Sequence, residues 1–179
     1  MSNFNYDLGV VGLGYVGLPL AVESANAGLN VIGYDVNNNR VLQINNGKSP
    51  IEDISDSELK KALNTFLATD DPTVLSTCQH IVISVPTPLT DYQPDLSYVE
   101  AAAKAVGENL VSNQVVILES TTYPGTTLEV LVPNLEKYSS LNAGSDFFVG
   151  YSPERIDPGN QEWKFKNTPK VISGINEDS

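Results

Sequence analysis

Three glycines in the order G-x-G-x-x-G, Gly12, Gly14 and Gly17, stand between an apolar run and a helical pattern. Gly12 permits a tight turn, Gly14 lets the backbone approach a ligand, and Gly17 lets a helix pack closely on a strand. The N–H groups near Tyr15 and Val16 fall at the positive end of that helix, where a phosphate is favoured. The spacing predicts a turn that binds a pyrophosphate; a glycine turn that serves only packing is the alternative.

An acid, Asp35, ends the next apolar run, V-I-G-Y-D. It follows the glycines at close to the spacing of about 20 residues that dinucleotide sites show. A carboxylate there accepts hydrogen bonds from a ribose 2′-hydroxyl and repels a 2′-phosphate, so the predicted cofactor is NAD rather than NADP. Arg40 lies one short turn further on, and we expect it to stack on the adenine or contact the ribose; a solvated helix arginine is the alternative.

Three further segments follow predicted strands, where ligands bind in open parallel α/β sheets. They are S-V-P-T-P-L (84–89), E-S-T-T-Y-P-G-T-T (119–127) and Y-S-P-E-R-I-D-P-G (151–159). Thr87 offers a hydroxyl to the cofactor, and Glu154 and Arg155 place an acid beside a base. Each segment alone could be an ordinary loop, since Ser, Thr, Pro and Gly are common in turns. Their shared edge with the glycine turn predicts one site.

The elements that must position these residues alternate between strand and helix. We predict strands at residues 8–13, 30–35, 66–68, 80–85, 115–118 and 147–150, with an edge strand at 170–173. We predict helices at 15–27, 37–46, 57–64, 71–76, 95–109 (capped by Asp95) and 126–138. This order predicts an α/β fold, Rossmann-like and doubly wound, with a mostly parallel sheet covered by helices on both faces. The length, 179 residues, suits one domain over residues 1–179.

Composition narrows the function classes. The formal net charge of −12 argues against nucleic acid or an anionic membrane as the main partner. We see no apolar run long enough to span a membrane and no secretory signal. The single cysteine, Cys78, fits a reducing cytoplasm, where we expect the protein. The single histidine makes a metal site unexpected.

Five segments, in order, resemble signatures of the UDP-glucose/GDP-mannose dehydrogenase family in its N-terminal NAD-binding domain. They are G-L-G-Y-V-G-L-P-L-A, S-V-P-T-P-L, P-D-L-S-Y-V-E-A-A, E-S-T-T-Y-P-G-T-T and Y-S-P-E-R-I-D-P-G. The resemblance covers nearly the whole chain. The last segment is more similar to enzymes that act on UDP-N-acetylhexosamines, such as those of mannosamine, galactosamine or glucosamine, than to UDP-glucose enzymes, which typically have an N-P-E-F-like segment there.

The resemblance implies oxidation of a sugar C6 hydroxyl to a carboxylate in two steps that consume two NAD⁺. It implies cofactor contacts at Gly12, Gly14, Tyr15, Val16, Gly17, Asp35, Arg40, Pro86, Thr87, Ser120 and Thr121. It gives two of the residues a catalytic role: Thr121 helps to order a water, and Glu154 acts as a base or activates that water. Substrate contacts are implied for Glu154 and Arg155. The alternatives are that Glu154 only holds its loop through an ion pair and that Arg155 lies at the surface.

The family's nucleophilic cysteine lies in a later domain, beyond a central helix, and neither is expected within these residues. Cys78 stands before a predicted strand, at the edge opposite the site, and we expect a small buried residue there. The chain should therefore bind NAD without turnover. The longer enzyme, whose partners would be NAD and a UDP-sugar, is expected to form a homodimer or a larger assembly, while this fragment can be monomeric.

Other functions stay open at this point. A UDP-glucose or GDP-mannose 6-dehydrogenase would differ only in substrate. A 6-phosphogluconate-type 3-hydroxyacid dehydrogenase shares the cofactor fold but fits E-S-T-T-Y-P-G-T-T less well. An NAD-binding regulatory module would have no chemistry of its own, and a methyltransferase would leave V-P-T-P and S-P-E-R unexplained.

Overall fold

Seven strands form one sheet in the computed structural model, which describes residues 4–90, 92–155, 162 and 167–179. In chain order they are β1 (Tyr6–Val11), β2 (Val31–Tyr34), β3 (Phe66–Thr69), β4 (Cys78–Ile83), β7 (Val115–Leu118), β8 (Phe148–Tyr151) and β9 (Ser173–Gly174). The remaining two strands, β5 (Leu89–Thr90) and β6 (Gln93–Pro94), form a separate antiparallel hairpin. The sheet order is β3-β2-β1-β4-β7-β8-β9, and its pairs are parallel except for β8 with β9.

Helices cover both faces of this sheet, so the predicted doubly wound α/β fold is confirmed. They are α1 (Gly17–Asn26), α2 (Asn38–Asn45), α3 (Asp56–Ala62), α4 (Ser97–Gly107) and α5 (Val132–Ser139). Two apolar clusters result, because the central strands are buried on both sides. One packs α1, α2 and α3 against the sheet, around side chains such as Leu18, Ile44 and Leu59. The other packs α4 and α5 on the opposite face, around Val106, Leu135 and Phe147.

Local sequence signals explain where several elements begin and end. Ser55 and Glu58 form a capping box that starts α3, since each side chain binds the other residue's backbone N–H. Gly28 and Gly47 follow α1 and α2 with φ of +99° and +68°, the left-handed conformation that ends helices. β1 stops at Val11 rather than at the predicted residue 13, because Gly12 has a φ of +91° and turns the chain out of the sheet.

Other predicted boundaries were wrong for identifiable reasons. The helix predicted from residue 95 begins at Ser97. Asp95 lies just before the helix, and its carboxylate accepts a hydrogen bond of 2.9 Å from the Ser97 N–H. The helix predicted at 126–138 is divided into a π-helical turn, Thr127–Leu131, and α5. Pro133 in the first turn of α5 has no N–H to continue a regular ladder. The predicted edge strand at 170–173 is β9, displaced toward the C-terminus and antiparallel, and the hairpin of β5 and β6 was not predicted.

Candidate functional site

A cavity of about 630 Å³ opens at the carboxyl ends of the central strands, within the usual size of small-molecule sites. It brings together the glycine turn, the end of β2 and the loops after β4, β7 and β8. The predicted site residues that line it are Gly12, Gly14, Tyr15, Val16, Asp35, Arg40, Pro86, Thr87, Ser120, Thr121 and Glu154. Gly17 and Arg155 do not line it.

The glycine turn is shaped by two different constraints. A Cβ at Gly12 would lie 2.6 Å from the carbonyl oxygen of Ser84, so the end of β4 excludes any side chain there. A Cβ at Gly14 would meet nothing within 4 Å, so this backbone faces open space that a ligand can approach. Within the part of the chain that the structure describes, no side chain caps the first turn of α1. The Leu18 N–H donates to the Gly14 carbonyl and Pro19 has no N–H, so the N–H groups that can face an anion are those from Tyr15 to Gly17, which fits a pyrophosphate.

Gly17 has a packing role, and its predicted cofactor contact stays a prediction. A Cβ at this position would lie only 1.8 Å from the carbonyl oxygen of Gly12, and the residue lies outside the cavity lining. The start of α1 therefore rests directly on the turn that precedes it. The absence of a side chain at Gly17 fixes the direction of α1 and, through it, the N–H groups of the turn.

Asp35 is held at the end of β2 by three hydrogen bonds and is 5% exposed. Its Oδ2 accepts from the Leu13 N–H and from Nη1 of Arg40, each at 2.8 Å, and its Oδ1 accepts from the Asn37 N–H at 2.9 Å. A carboxylate has about four acceptor positions, so one remains, on Oδ1, for a ribose hydroxyl. Nη1 of Arg40 is bound to Asp35 in this arrangement, and both predicted roles of Arg40, stacking on the adenine or contact with the ribose, stay predictions.

The loops after β4 and β7 are tied to each other by two hydroxyl groups. Oγ1 of Thr87 donates to the carbonyl of Thr121 at 2.5 Å, and Oγ of Ser120 donates to the carbonyl of Val85 at 2.8 Å. Since both hydroxyl protons are used, these side chains can accept hydrogen bonds from a ligand but not donate one. Their predicted contacts with the cofactor are restricted accordingly.

Sequence reasoning gave no role to Ser84, although it lies at the same edge. Ser84 lines the cavity and is only 8% exposed, and its hydroxyl is buried without a hydrogen-bond partner among the described residues. Buried hydroxyls are normally satisfied, so an unpaired one in a cavity indicates a polar ligand. The only sequence signal for Ser84 was its position as the first residue of S-V-P-T-P-L, at the carboxyl end of a predicted strand.

The sequence analysis also did not predict that α4 lines the cavity. One face of α4 contributes its residues at helical spacing, Tyr98, Ala101, Ala102 and Ala105. The small alanines leave room for a flat ring beside the sheet edge. P-D-L-S-Y-V-E-A-A carried this pattern and was used only as a family signature.

Glu154 and Arg155 differ in their placement. Glu154 is partly buried and lines the cavity, and its Oε1 accepts a hydrogen bond of 2.6 Å from the Arg155 N–H. Arg155 is exposed and outside the lining, as its surface alternative expects. The remainder of this segment, residues 156–159, lies outside the described residues.

Cys78 lies at the start of the central strand β4, at the amino ends of the parallel strands and away from the cavity, and is fully buried. Burial raises the pKa of its thiol to about 12, which leaves almost no thiolate at neutral pH.

Within the described ranges, no three His, Cys, Asp or Glu side chains are grouped so that they could hold a metal ion. No helix of the described residues is long and apolar enough to cross a membrane.

Strand order and site together define the class of protein. The order reverses at β1, which has β2 on one side and β4 on the other, and the glycine turn lies at this switch point. A phosphate-binding turn there, with an acid at the end of β2, defines a dinucleotide-binding domain of the Rossmann type. Residues 6–179 match the model of the UDP-glucose/GDP-mannose dehydrogenase family, NAD binding domain. The chain belongs to this family, and its cofactor is NAD.

Similar proteins agree with this assignment. The chain is 43% identical over 171 residues to protein CapL of Staphylococcus aureus, covering 95% of this chain and 40% of that protein. It is 44% identical to a UDP-N-acetyl-D-glucosamine 6-dehydrogenase of Pseudomonas aeruginosa, covering 92% and 39%. The solved UDP-D-ManNAc dehydrogenase of Pyrococcus horikoshii matches with a TM-score of 0.87 and 39% identity, covering 95% and 41%. The chain thus spans about two fifths of the length of these relatives.

Proposed function

We propose that this chain is the cofactor domain of an NAD-dependent nucleotide-sugar 6-dehydrogenase. The longer enzyme would oxidise the C6 hydroxyl of a UDP-N-acetylhexosamine to a carboxylate in two steps, with two NAD⁺ consumed. The observation that carries the proposal is that Thr121 and Glu154 line the same cavity as the phosphate-binding turn. The names of several relatives support this substrate class, since they are dehydrogenases of N-acetylglucosamine and N-acetylmannosamine nucleotides.

The direction of the dinucleotide follows from the sheet order. Asp35 at the end of β2 receives the ribose of the adenosine half, and the turn at Gly14 receives the pyrophosphate. The nicotinamide half then extends to the other side of β1, over the ends of β4, β7 and β8. Ser84, Thr121 and Glu154 lie on that side of the cavity.

NAD⁺, when bound, supplies the acceptor for the hydride that leaves C6. The residues of this chain orient it and handle protons and water beside it. Glu154 has the carboxylate that can accept a proton from the C6 hydroxyl or from an attacking water. The Thr121 hydroxyl can hold that water. Cys78 cannot supply a nucleophile because its thiol is buried at the amino end of β4, so a catalytic thiol would have to come from residues outside this chain.

The finer parts of the proposal concern setting and assembly. An enzyme of this kind would act in the cytoplasm and make precursors for polysaccharide synthesis. Its longer form would be a homodimer or a larger assembly, with NAD and a UDP-sugar as its ligands. The acidic composition of the chain, with a formal net charge of −12, supports small-molecule ligands rather than nucleic acid or an anionic membrane.

A calorimetric titration of the chain with NAD⁺ and with NADP⁺ tests the cofactor site. We expect saturable NAD⁺ binding, weaker NADP⁺ binding, and loss of this preference in Asp35→Ala. Kinetic assay of a panel of UDP-sugars, with this domain in its longer protein, tests the reaction. NADH formation with a UDP-N-acetylhexosamine, at a kcat/KM well above that for UDP-glucose, supports the proposal. NAD⁺ binding without NADH formation from any sugar would instead favour a regulatory module.

A further inference from the structure

A buried ion pair lies at the nicotinamide side of the cavity. Glu119 directly follows β7, lines the cavity and has a side chain 5% exposed. Its carboxylate pairs with the ammonium of Lys170, whose side chain is 25% exposed. Loss of hydration on burial lowers the pKa of Lys170. A buried carboxylate and a partly buried ammonium therefore lie where the reacting half of the cofactor is expected.

Each partner of this pair is fixed by the sheet. The Glu119 N–H donates to the carbonyl of Ile83 at 2.8 Å, which joins the ends of β7 and β4. Lys170 belongs to the segment that continues into β9, and β9 pairs with β8. The Ile175 N–H anchors that segment by donating to the carbonyl of Val149 at 3.1 Å. The C-terminal segment thus brings a positive charge to the edge of the cofactor cavity.

The charge of the cofactor changes at this same side. The nicotinamide ring is positive in NAD⁺ and neutral in NADH, whereas the pyrophosphate is the same in both. A carboxylate near the ring favours the oxidised form, and an ammonium disfavours it. At the adenosine side, Asp35 is paired with Arg40 and faces a part of the cofactor that does not change. Glu119 with Lys170, together with Glu154, therefore forms the charged surroundings of the part that does.

We propose that Glu119 and Lys170 are a charge-balancing pair that sets the relative affinity of this cavity for oxidised and reduced NAD. The inference rests on the proposed direction of the dinucleotide. While the pair is intact its charges largely cancel, so the cavity does not hold one form much more tightly than the other. An enzyme that exchanges NADH for NAD⁺ within one reaction cycle requires such a balance.

Four variants separate this role from a purely structural one. Glu119→Gln removes the negative charge of the pair, Lys170→Met removes its positive charge, and the double variant removes both charges at similar volume. Lys48→Met is the matched control, because it breaks the exposed Lys48–Asp56 ion pair far from the lining. Dissociation constants for NAD⁺ and NADH are measured by calorimetry at pH 7.5, with thermal unfolding of each variant as the test of folding.

We expect Glu119→Gln to favour NADH, so that the ratio of the dissociation constant of NAD⁺ to that of NADH rises about tenfold, equivalent to about 1.4 kcal/mol. Lys170→Met should shift it toward NAD⁺, and the double variant should return to within about twofold of the wild type. The shifts should persist at high salt, because buried charges are weakly screened. The control should leave the ratio unchanged.

Equal loss of affinity for both cofactors in Glu119→Gln would overturn the proposal and leave the pair with a structural role only. An unchanged ratio in a folded Glu119→Gln would do the same, even if Lys170→Met fails to fold. Failure of the wild type to bind either cofactor would refute the proposed function itself. If the wild type binds both cofactors but the variants have the same ratio of dissociation constants as the wild type, only this inference is refuted.

Discussion

Nη1 of Arg40 lies 2.8 Å from Oδ2 of Asp35, so a guanidinium beside the proposed ribose site is held by the acid that we predict to select the cofactor. Arg40 is one turn into α2, and its own N–H is bound by the side chain of Asn37 at the start of that helix. A guanidinium at this place would otherwise suit a 2′-phosphate. We therefore predict that selection of NAD over NADP has two parts, repulsion of a 2′-phosphate by Asp35 and engagement of Arg40 by that same carboxylate.

Asp35→Asn should weaken the preference for NAD⁺ because it removes the repulsion and releases Arg40. We expect NADP⁺ affinity relative to NAD⁺ to rise by about tenfold, equivalent to about 1.4 kcal/mol, in calorimetric titrations. The double variant Asp35→Asn with Arg40→Gln should lose this gain. Asp56→Asn, which removes the acid of an exposed ion pair, is the control and should change neither affinity. Equal weakening of both cofactors by Asp35→Asn would contradict the prediction.

Gly17→Ala and Gly14→Ala form a matched pair within the same turn. The first places a methyl group 1.8 Å from the Gly12 carbonyl, so α1 must shift, and we expect a loss of about 3 kcal/mol in the free energy of unfolding as well as of NAD⁺ binding. The second meets no protein atom within 4 Å, so its stability should be nearly unchanged. Its NAD⁺ affinity should nevertheless fall, because the methyl group fills space meant for the pyrophosphate. Urea unfolding and calorimetry measure the two effects, and a stable Gly17→Ala would show that the packing argument fails.

Ser84→Ala tests whether the unpaired hydroxyl binds the cofactor. One hydrogen bond contributes about 0.5–1.5 kcal/mol, so NAD⁺ affinity should fall about three- to tenfold without loss of stability. Ser152→Ala is the matched control, since this hydroxyl is also buried without a partner among the described residues but lies outside the cavity lining. Equal NAD⁺ affinity in Ser84→Ala and Ser152→Ala would contradict the prediction that the Ser84 hydroxyl binds the cofactor.

Asp146 should make stability depend on pH in acid. Its Oδ2 accepts hydrogen bonds of 2.8 Å from the backbone N–H and from the side-chain amide of Asn142, and these bonds hold the pKa of the carboxyl below its usual value. The unfolded state therefore binds the proton more readily. The contribution is present above the ordinary carboxyl pKa of about 3.9 and is lost as pH falls through the lower folded value. We expect the difference in unfolding free energy between the wild type and Asp146→Asn to shrink from pH 5 to about pH 2.5. A difference that stays constant across this range would count against the prediction.

Patterns with strong physical constraints were predictable from the sequence. Buried parallel strands, the acid at Asp35 and the glycine turn each require particular residue types, and the structure has the strands in a doubly wound sheet. The π-helical turn before α5 and the start of α4 were not predictable to the residue, because neighbouring positions compete for the same caps and hydrogen bonds. The pairing of Glu119 with Lys170 joins positions distant in the chain, so no local pattern could indicate it.

The sequence predicted which loops form the cavity better than it predicted the hydrogen bonds of each side chain. Topology alone places the segments after β4, β7 and β8 at one edge. Whether a hydroxyl there donates to a ligand or to a neighbouring loop depends on loop geometry, as Thr87 and Ser120 illustrate. Ser84 is the opposite case, because the sequence predicted no ligand contact for it and only the structure shows that its hydroxyl has no partner among the described residues.

Cys78 has a practical consequence for studying this chain. It is the single cysteine in the sequence, its side chain is fully buried, and its thiol is protonated at neutral pH. Thiol-reactive dyes attack thiolates, so they should leave the folded chain unlabelled without any need to replace this residue. Val36 lines the cavity beside Asp35 and is 82% exposed, so Val36→Cys would be the single reactive thiol. A fluorophore attached there would stand at the mouth of the cavity and report the arrival of a dinucleotide in real time.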